Sequence, residues 1–259
     1  MSMTHVGFIG GGRVTRILLE GWSRKGGLPA RVVVSDPDAG ALARLRTRFP
    51  SLEAAPTDNA AAAAQDVVFL AVHPPAVAEV AAGIRGRLKP GAVLLSLAPK
   101  FGLARLAELL GGFGRVARVI PNAPSAINLG YNPVAFGPGL TAADRAAITT
   151  LLAPLGECPE VDEAKLEAYA VLTAMGPTYL WFQLQALREV AAGFGLSEAE
   201  IAPALRGTVC GATRTLLESG LTPAEVMDLV PVKPLGEMES TVGELYRTRL
   251  PAIHQKIRP

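Results

Sequence analysis

Thr4-His5-Val6-Gly7-Phe8-Ile9-Gly10-Gly11-Gly12-Arg13-Val14-Thr15 is the stretch from which the rest of the chain can be read. Val6 to Ile9 has the apolar run of a short buried strand, and Gly10-Gly11-Gly12 makes a tight turn. From Arg13 onward, Ile17-Leu18-Leu19 through Trp22 carries apolar residues at helical spacing. Strand, glycine turn and helix in that order form the dinucleotide-binding fingerprint. Gly10 permits the turn, and Gly12 lets backbone N–H groups approach a pyrophosphate at the helix N-terminus. The third small position is Thr15 rather than Gly or Ala, which predicts slightly looser packing of helix on strand. Glycine turns follow many strands, so the weight of this reading rests on what comes after it.

The 259-residue chain is 49% hydrophobic and 19% charged, the balance of a folded protein, and is long enough for one large or two modest domains. A net charge of +2 with scattered arginines gives no case for nucleic acid or a charged membrane surface. Cys158 and Cys210 lie far apart without a C-x-x-C spacing and are expected to be reduced core thiols. His5, His73 and His254 are equally scattered, so no metal site is expected. No uncharged stretch reaches the ~20 residues of a membrane-spanning helix. The first strand begins at once, leaving no room for a signal peptide, and a cytoplasmic location is expected.

After a Gly26-Gly27 break, Arg31-Val32-Val33-Val34-Ser35 predicts a second strand ending in Asp36-Pro37-Asp38. An acidic side chain there can accept from adenosine ribose hydroxyls and would repel a 2′-phosphate, so Asp36 leans the site toward NAD over NADP. The competing reading is that Asp36 only starts the turn into the next helix. Ala39–Phe49 predicts a helix whose Arg44, Arg46 and Arg48 keep NADP open, since a guanidinium suits phosphate. Asp66–Val72 is an apolar run expected of a central parallel strand, stopped by His73-Pro74-Pro75. Ligands gather at such strand ends, which puts His73 near the cofactor, although a strand-end His is commonly a solvated loop residue.

Helix 77–88, strand 92–97, helix 103–110 and strand 115–120 follow, the last stopping at Pro121-Asn122-Ala123-Pro124, a rigid exposed loop. Short strands 133–137 and 158–161 flank a helix opened by the capping box Thr141-Ala142-Ala143-Asp144. This β-α-β spacing predicts a Rossmann-type, doubly wound parallel sheet over residues 1–162. From 163 to 259 the pattern is all helical. Helices are expected at 163–174, 179–194 and 198–219, and another opens with the capping box at Thr222. Richness in Ala, Leu and Gly suggests either a dimer surface or an internal core.

These residues resemble the pyrroline-5-carboxylate reductase family nearly end to end. The motifs are Val6–Gly12, Asp66–Pro74 and Arg118-Val119-Ile120-Pro121-Asn122-Ala123-Pro124, which is similar to the family's R-x-M-P-N-T-P. Further along, Ala174-Met175-Gly176-Pro177-Thr178-Tyr179 stands at its S-G-S-G-P-A-Y segment. The resemblance implies a nucleotide-binding domain, a helical substrate and dimerisation domain, and reduction of a cyclic imine to L-proline by NAD(P)H. It implies that Gly10, Gly12, Arg13, Val14, Asn59, Ala71, Val72, His73 and Ala98 line the cofactor, with Asp36 beside them. Asn122, Lys233, Gly236 and Met238 are the candidate catalytic residues on the substrate side.

The departures fall at the substrate. Val232–Met238 stands where the family has S-P-G-G-T-T, with one extra residue and without its threonine hydroxyls. Lys233 could replace those donors as a carboxylate clamp, while Glu237 would disfavour an anionic ligand unless paired with it. The main reading is therefore an NAD(P)-dependent reductase of a small cyclic imine. A β-hydroxyacid dehydrogenase lacks its G-x-x-G-x-x-x-K motif here. The alternative of another class is a catalytically inactive dinucleotide-binding sensor or interaction protein.

Overall fold

A computed structural model describes residues 5–259. The chain divides into two compact units, one reaching to Met175 and taking in Ile253–Pro259, the other Gly176–Ala252.

The first unit alternates strands and helices in the order β1 (His5–Ile9), α1 (Arg13–Arg24), β2 (Arg31–Ser35), α2 (Ala39–Arg48), β3 (Glu53–Ala54), α3 (Asn59–Ala63), β4 (Val67–Leu70), α4 (Val77–Gly83), β5 (Val93–Ser96), α5 (Leu103–Leu109) and β6 (Val116–Val119). It continues with β7 (Gly130–Tyr131), β8 (Val134–Phe136), α6 (Ala142–Leu152), β9 (Gly156–Glu157) and α7 (Leu166–Tyr169). One sheet runs β3-β2-β1-β4-β5-β6-β8. It is parallel throughout except at its edge, where β8 returns antiparallel to β6.

The continuous apolar runs follow from burial on both faces. Val6, Phe8, Val32, Val34, Val67 and Phe69 point to one core cluster with Leu18, Leu19 and Trp22 of α1. Ile9, Val33, Val68 and Leu70 point to the other, with Ala62 of α3 and Val77 and Ala81 of α4. Phe8 stacks on Phe69 with centroids 4.7 Å apart, and the buried Trp22 indole donates to the Leu151 carbonyl at 2.8 Å. Gly7 is demanded by this packing, because a Cβ there would lie 1.9 Å from the Ala62 carbonyl oxygen.

Arg118 on β6 is 1% exposed and is neutralised by Glu163 and Glu167, its closest contact being with Glu167. Its Nε has no hydrogen-bond partner among the described atoms. Glu163 also accepts from the Leu103 N–H at 2.6 Å, so one carboxylate ties the start of α5 to β6.

Several predicted elements differ in detail. The helix expected over 77–88 ends at Gly83 and dissolves into turns. The strand expected at 158–161 lies at Gly156–Glu157, leaving only an isolated bridge between Val134 and Glu160. The helix expected over 163–174 is a 3-10 turn at Glu163–Lys165, then α7, then a π-turn at Ala170–Ala174. Cys210 is exposed rather than a core thiol, whereas burial pushes the Cys158 thiol up to about 11.

The second unit is helical. Its elements are α8 (Gly176–Gly193), α9 (Glu198–Glu218), α10 (Pro223–Asp228), a 3-10 turn at Gly236–Met238, and α11 (Glu239–Ile257), whose last turns belong to the first unit. The capping boxes at Ser197 and Thr222 form as expected. Ile201 is the one buried side chain among its described residues, and Trp181, Phe182, Phe194 and Leu217 are 54–81% exposed.

Candidate functional site

Gly10 and Gly12 are glycines for different reasons. Gly10 has φ +109, and a Cβ on it would lie 2.4 Å from the Ala71 carbonyl oxygen, so the fold itself requires it. Gly12 has an ordinary φ of −77, and a Cβ there would meet nothing within 4 Å. Its bareness leaves open a cradle that a side chain would fill, directly before α1. The N–H groups of Gly12, Arg13 and Val14 start that helix with no acceptor of their own, and no side chain caps them.

The turn around them is tied down. Gly10 N–H donates to Ser35 O at 2.8 Å. The Thr15 hydroxyl, fully buried, donates to Gly10 O at 2.6 Å. Thr15 therefore stands in the third small position buried and hydrogen-bonded to the turn. The half-buried Asp36 carboxylate accepts from Gly11 N–H at 2.6 Å and from Asp38 N–H at 2.8 Å.

A groove of about 920 Å³ opens over this turn, lined by Gly12, Arg13, Asp36 and His73 from the predicted set. It is also lined by Arg16, Glu20, Arg24, Asp38, Arg44 and Arg48. Arg44 reaches Asp38 at 3.5 Å and Arg48 pairs with Glu20 at 2.5 Å. The Ala41 backbone N–H, opposed by desolvation and helped by the Gly40 N–H and Arg44, holds the Asp38 carboxyl below its ordinary value. Arg13 and Arg16 make no ion pair among the described residues, and they sit in the first turn of α1, where no acidic residue offsets the helix dipole. A cation at that end is disfavoured by the chain alone and favoured by a bound anion. Bare N–H groups, open space at Gly12 and unpaired guanidiniums together fit the pyrophosphate of a dinucleotide.

The other predicted cofactor residues lie outside the groove wall. Ala71 and Val72 are half-buried at the end of β4, and Ala98 is 2% exposed after β5, so its side chain faces the core. Asn59 takes a 2.5 Å hydrogen bond from the Ser35 hydroxyl, which steadies the end of β2. Val14 is half-buried beneath the helix start.

Asn122 is 8% exposed, not part of an exposed loop. Its carboxamide accepts from Tyr131 N–H at 3.1 Å and donates to the Thr173 carbonyl of the π-turn at 3.3 Å. The buried Asn132 Oδ1 receives both the Asn122 N–H at 3.2 Å and the Ser125 hydroxyl at 2.7 Å. This network was not read from the sequence, where Ser125, Asn132 and Thr173 carried no pattern.

In the helical unit, Lys233 and Met238 are exposed and Gly236 is half-buried. Gly236 N–H donates to Lys233 O at 3.0 Å and Met238 N–H to Leu235 O at 2.9 Å, so the segment is a local turn. Lys233 forms no ion pair among the described residues, and the pairing considered with Glu237 is not formed. Among the described residues no cluster of His, Cys, Asp and Glu is placed to hold a metal, and no helix is long and apolar enough to cross a membrane.

Residues 5–100 match the domain family described as NADP oxidoreductase coenzyme F420-dependent. Pyrroline-5-carboxylate reductase of Corynebacterium melassecola is 30% identical over 94% of this chain and 90% of its own length. The Pseudomonas aeruginosa enzyme of the same name is 29% identical over 93% and 88%. Among solved structures, a pyrroline-5-carboxylate reductase from Coxiella burnetii superposes with a TM-score of 0.69 at 25% identity, over 98% of this chain and 94% of that one. The Plasmodium falciparum pyrroline carboxylate reductase, solved with NADP bound, shares the fold with a TM-score of 0.78 at 18% identity, over 100% and 98%.

Proposed function

The chain belongs to the pyrroline-5-carboxylate reductase family, and we propose that it carries out the reaction in that name, reduction of 1-pyrroline-5-carboxylate to L-proline in proline biosynthesis. The observation that carries this reading is the reach of the likeness. It covers 90% of the Corynebacterium relative, so the helical substrate portion is included along with the nucleotide-binding one.

The enzyme is an NAD(P)-dependent oxidoreductase. When bound, the dinucleotide supplies the hydride for the imine carbon. The chain's part is to hold and orient. The N–H groups of Gly12, Arg13 and Val14 would take the pyrophosphate, with Arg13 and Arg16 adding charge and Asp36 facing the adenosine ribose. Gly10, Asn59, Ala71, Val72 and Ala98 support that surface from beneath, and His73 borders it. The lean toward NADH rests on Asp36 and on the engagement of Arg44 by Asp38 and of Arg48 by Glu20.

On the substrate side, Lys233 would clamp the carboxylate, with Gly236 and Met238 shaping the turn that presents it. Asn122 would fix its own loop through the Thr173 carbonyl. Reduction of an imine needs little beyond a near-attack approach of about 3–3.5 Å, exclusion of water and retention of the imine proton. We assign residues 1–162 to the dinucleotide and 163–259 to substrate binding and self-association. A helical unit with Ile201 as its one buried side chain leaves much apolar surface uncovered, which supports a homodimer or larger homo-oligomer through that surface. The cytoplasm, where reduced nicotinamide dinucleotides are supplied, is the proposed location.

The test is a fluorescence titration with NADH and with NADPH, followed by addition of 1-pyrroline-5-carboxylate. Binding with proline formed in step with cofactor oxidation is expected. Binding without turnover would overturn the substrate, and absence of binding would overturn the cofactor.

A further inference from the structure

The peptide group joining Gly10 to Gly11 is held at both ends by side chains. Its carbonyl oxygen receives the buried Thr15 hydroxyl at 2.6 Å, and its N–H donates to the Asp36 carboxylate at 2.6 Å. A peptide between two glycines is the least restrained kind in a chain, because neither neighbour has a Cβ to oppose rotation of the plane. Gly10 is fixed on its other side by its own N–H to Ser35 O and by the close Ala71 carbonyl. Gly11 is buried with a Cβ position 3.3–3.4 Å from Leu45, Asp36 and Val34, whereas Gly12 beyond it is unobstructed. The two side-chain hydrogen bonds act on the plane itself and set which way it faces.

Which way this plane faces matters for an anion. In the observed orientation the Gly10 carbonyl points back to Thr15 in the core, leaving the N–H groups of Gly12, Arg13 and Val14 to face the groove. A flipped plane would withdraw that oxygen from Thr15 and carry its negative end toward the phosphate cradle, where it repels a pyrophosphate. Both Asp36 oxygens accept from this turn region, the second from Asp38 N–H at 2.8 Å, so the carboxylate is held in place on the turn.

We propose that Thr15 and Asp36 act together as positioning residues that lock the Gly10–Gly11 peptide plane, and that Asp36 serves this lock before it serves cofactor choice. The proposal rests on the dinucleotide assignment above. Its consequence is that Asp36 is not a simple selector against a 2′-phosphate. Removing it weakens both dinucleotides.

The experiment measures the dissociation constants of NADH and NADPH by fluorescence for the full-length protein and for Thr15→Val, Thr15→Ser, Asp36→Ala and Thr15→Val/Asp36→Ala, with melting curves to confirm folding. A KM is taken for each cofactor and for the imine. Thr15→Val is expected to weaken both cofactors roughly fivefold to tenfold, as for one lost hydrogen bond, and Thr15→Ser to restore binding to within about twofold. The rise is expected in the cofactor KM and not in that of the imine. Asp36→Ala should weaken both cofactors, and the double variant should be little worse than the weaker single one, because a plane released at one end gains little from the other.

Tighter NADPH binding by Asp36→Ala would make Asp36 a selector and overturn the proposal. So would additive losses in the double variant, or failure of Thr15→Ser to restore binding that Thr15→Val had lost. If the unaltered protein binds neither cofactor, the dinucleotide assignment itself falls, an outcome separate from these.

Discussion

The Gly10–Gly12 turn and the Val232–Met238 turn both carry glycines and both border a proposed ligand, yet their polar groups are treated in opposite ways. Around Gly10, the Thr15 hydroxyl, the Ser35 carbonyl and the Asp36 carboxylate all find partners within the chain, and the groups left over among the described residues, the N–H groups at the start of α1 and the Arg13 and Arg16 guanidiniums, all suit an anion. Around Gly236, Lys233 has no ion pair among the described residues, and Val232, Leu235 and Met238 are 72%, 74% and 51% exposed. The first turn is finished by its own sequence. The second is a local turn whose side chains face outward. The same contrast extends to the two units, the sheet with two filled faces and the helices with Ile201 alone buried.

The largest test of that contrast uses charge. Glu167→Ala leaves the 1%-exposed Arg118 guanidinium without its nearest counter-charge and should cost about 3–5 kcal/mol of stability in denaturant unfolding, the usual result of breaking a buried pair. Glu198→Ala removes the partner of Arg188 in the helical unit, where both side chains are well exposed, and should leave stability unchanged. Similar costs for the two would erase the distinction between a closed and an open unit.

The glycines sharpen it next. Gly10→Ala meets the Ala71 carbonyl and an unfavourable φ, so a loss of at least about 2 kcal/mol in thermal or chemical unfolding is expected. Gly12→Ala should melt as the unaltered protein does and bind NADH at least about tenfold more weakly, because its methyl group fills the cradle and not the core. A destabilised Gly12→Ala with normal cofactor binding would reverse the roles assigned to the two residues.

Lys233→Ala is the corresponding probe at the open turn. The KM for 1-pyrroline-5-carboxylate should rise by roughly tenfold, as expected for losing one charge-assisted contact, while the dissociation constant of NADH stays as it was. An unchanged KM would remove Lys233 from the substrate site and leave its exposure to be explained by contact between copies.

What could be read from sequence follows the same line between locally and distantly determined features. The sheet was legible because strands covered on both faces need unbroken apolar runs, as in Val67–Leu70, and because the β-α-β alternation that follows Gly10–Gly12 gives that turn its meaning. Helix α3 was not, since Asn59-Ala60-Ala61-Ala62-Ala63 has no polar face to set a period. The shift of a strand to Gly156–Glu157 turns on Gly156 at φ +130, whose Cβ would lie 2.2 Å from the Gly130 carbonyl oxygen, a long-range approach that no local pattern signals. In the site, Asp36 was placed correctly at the end of β2, but its hydrogen bonds to Gly11 and Asp38 depend on a rotamer. Asn122 was expected on an exposed loop because prolines flank it. Its burial comes from Tyr131 and Thr173, 9 and 51 residues away.

The smallest effect compares two helix starts that look alike in sequence. Thr141 and Asp144 form a capping box on α6, and Thr222 and Glu225 form one on α10. Only the first is reinforced at a distance, by Arg115 at 2.7 Å from Asp144, whose side chain is 15% exposed. Burial raises the Asp144 carboxyl, but the Arg115 and Thr141 hydrogen bonds outweigh it and hold the group below its ordinary 3.8. A group with a lowered folded value stabilises the fold above its unfolded value and loses that contribution as pH falls through the folded one. Asp144→Ala should therefore cost about 1 kcal/mol at neutral pH, discounted for its remaining solvent contact. The gap from the unaltered protein should hold down to pH 5 and close below 3.8. Glu225 is also lowered, by the Thr222 hydroxyl first and then the Thr222 N–H, but without a cation, so Glu225→Ala should show a smaller gap with the same sign in pH. Equal gaps would mean that Arg115 adds nothing to its helix, and that the first unit is closed by its apolar faces and by Arg118 alone.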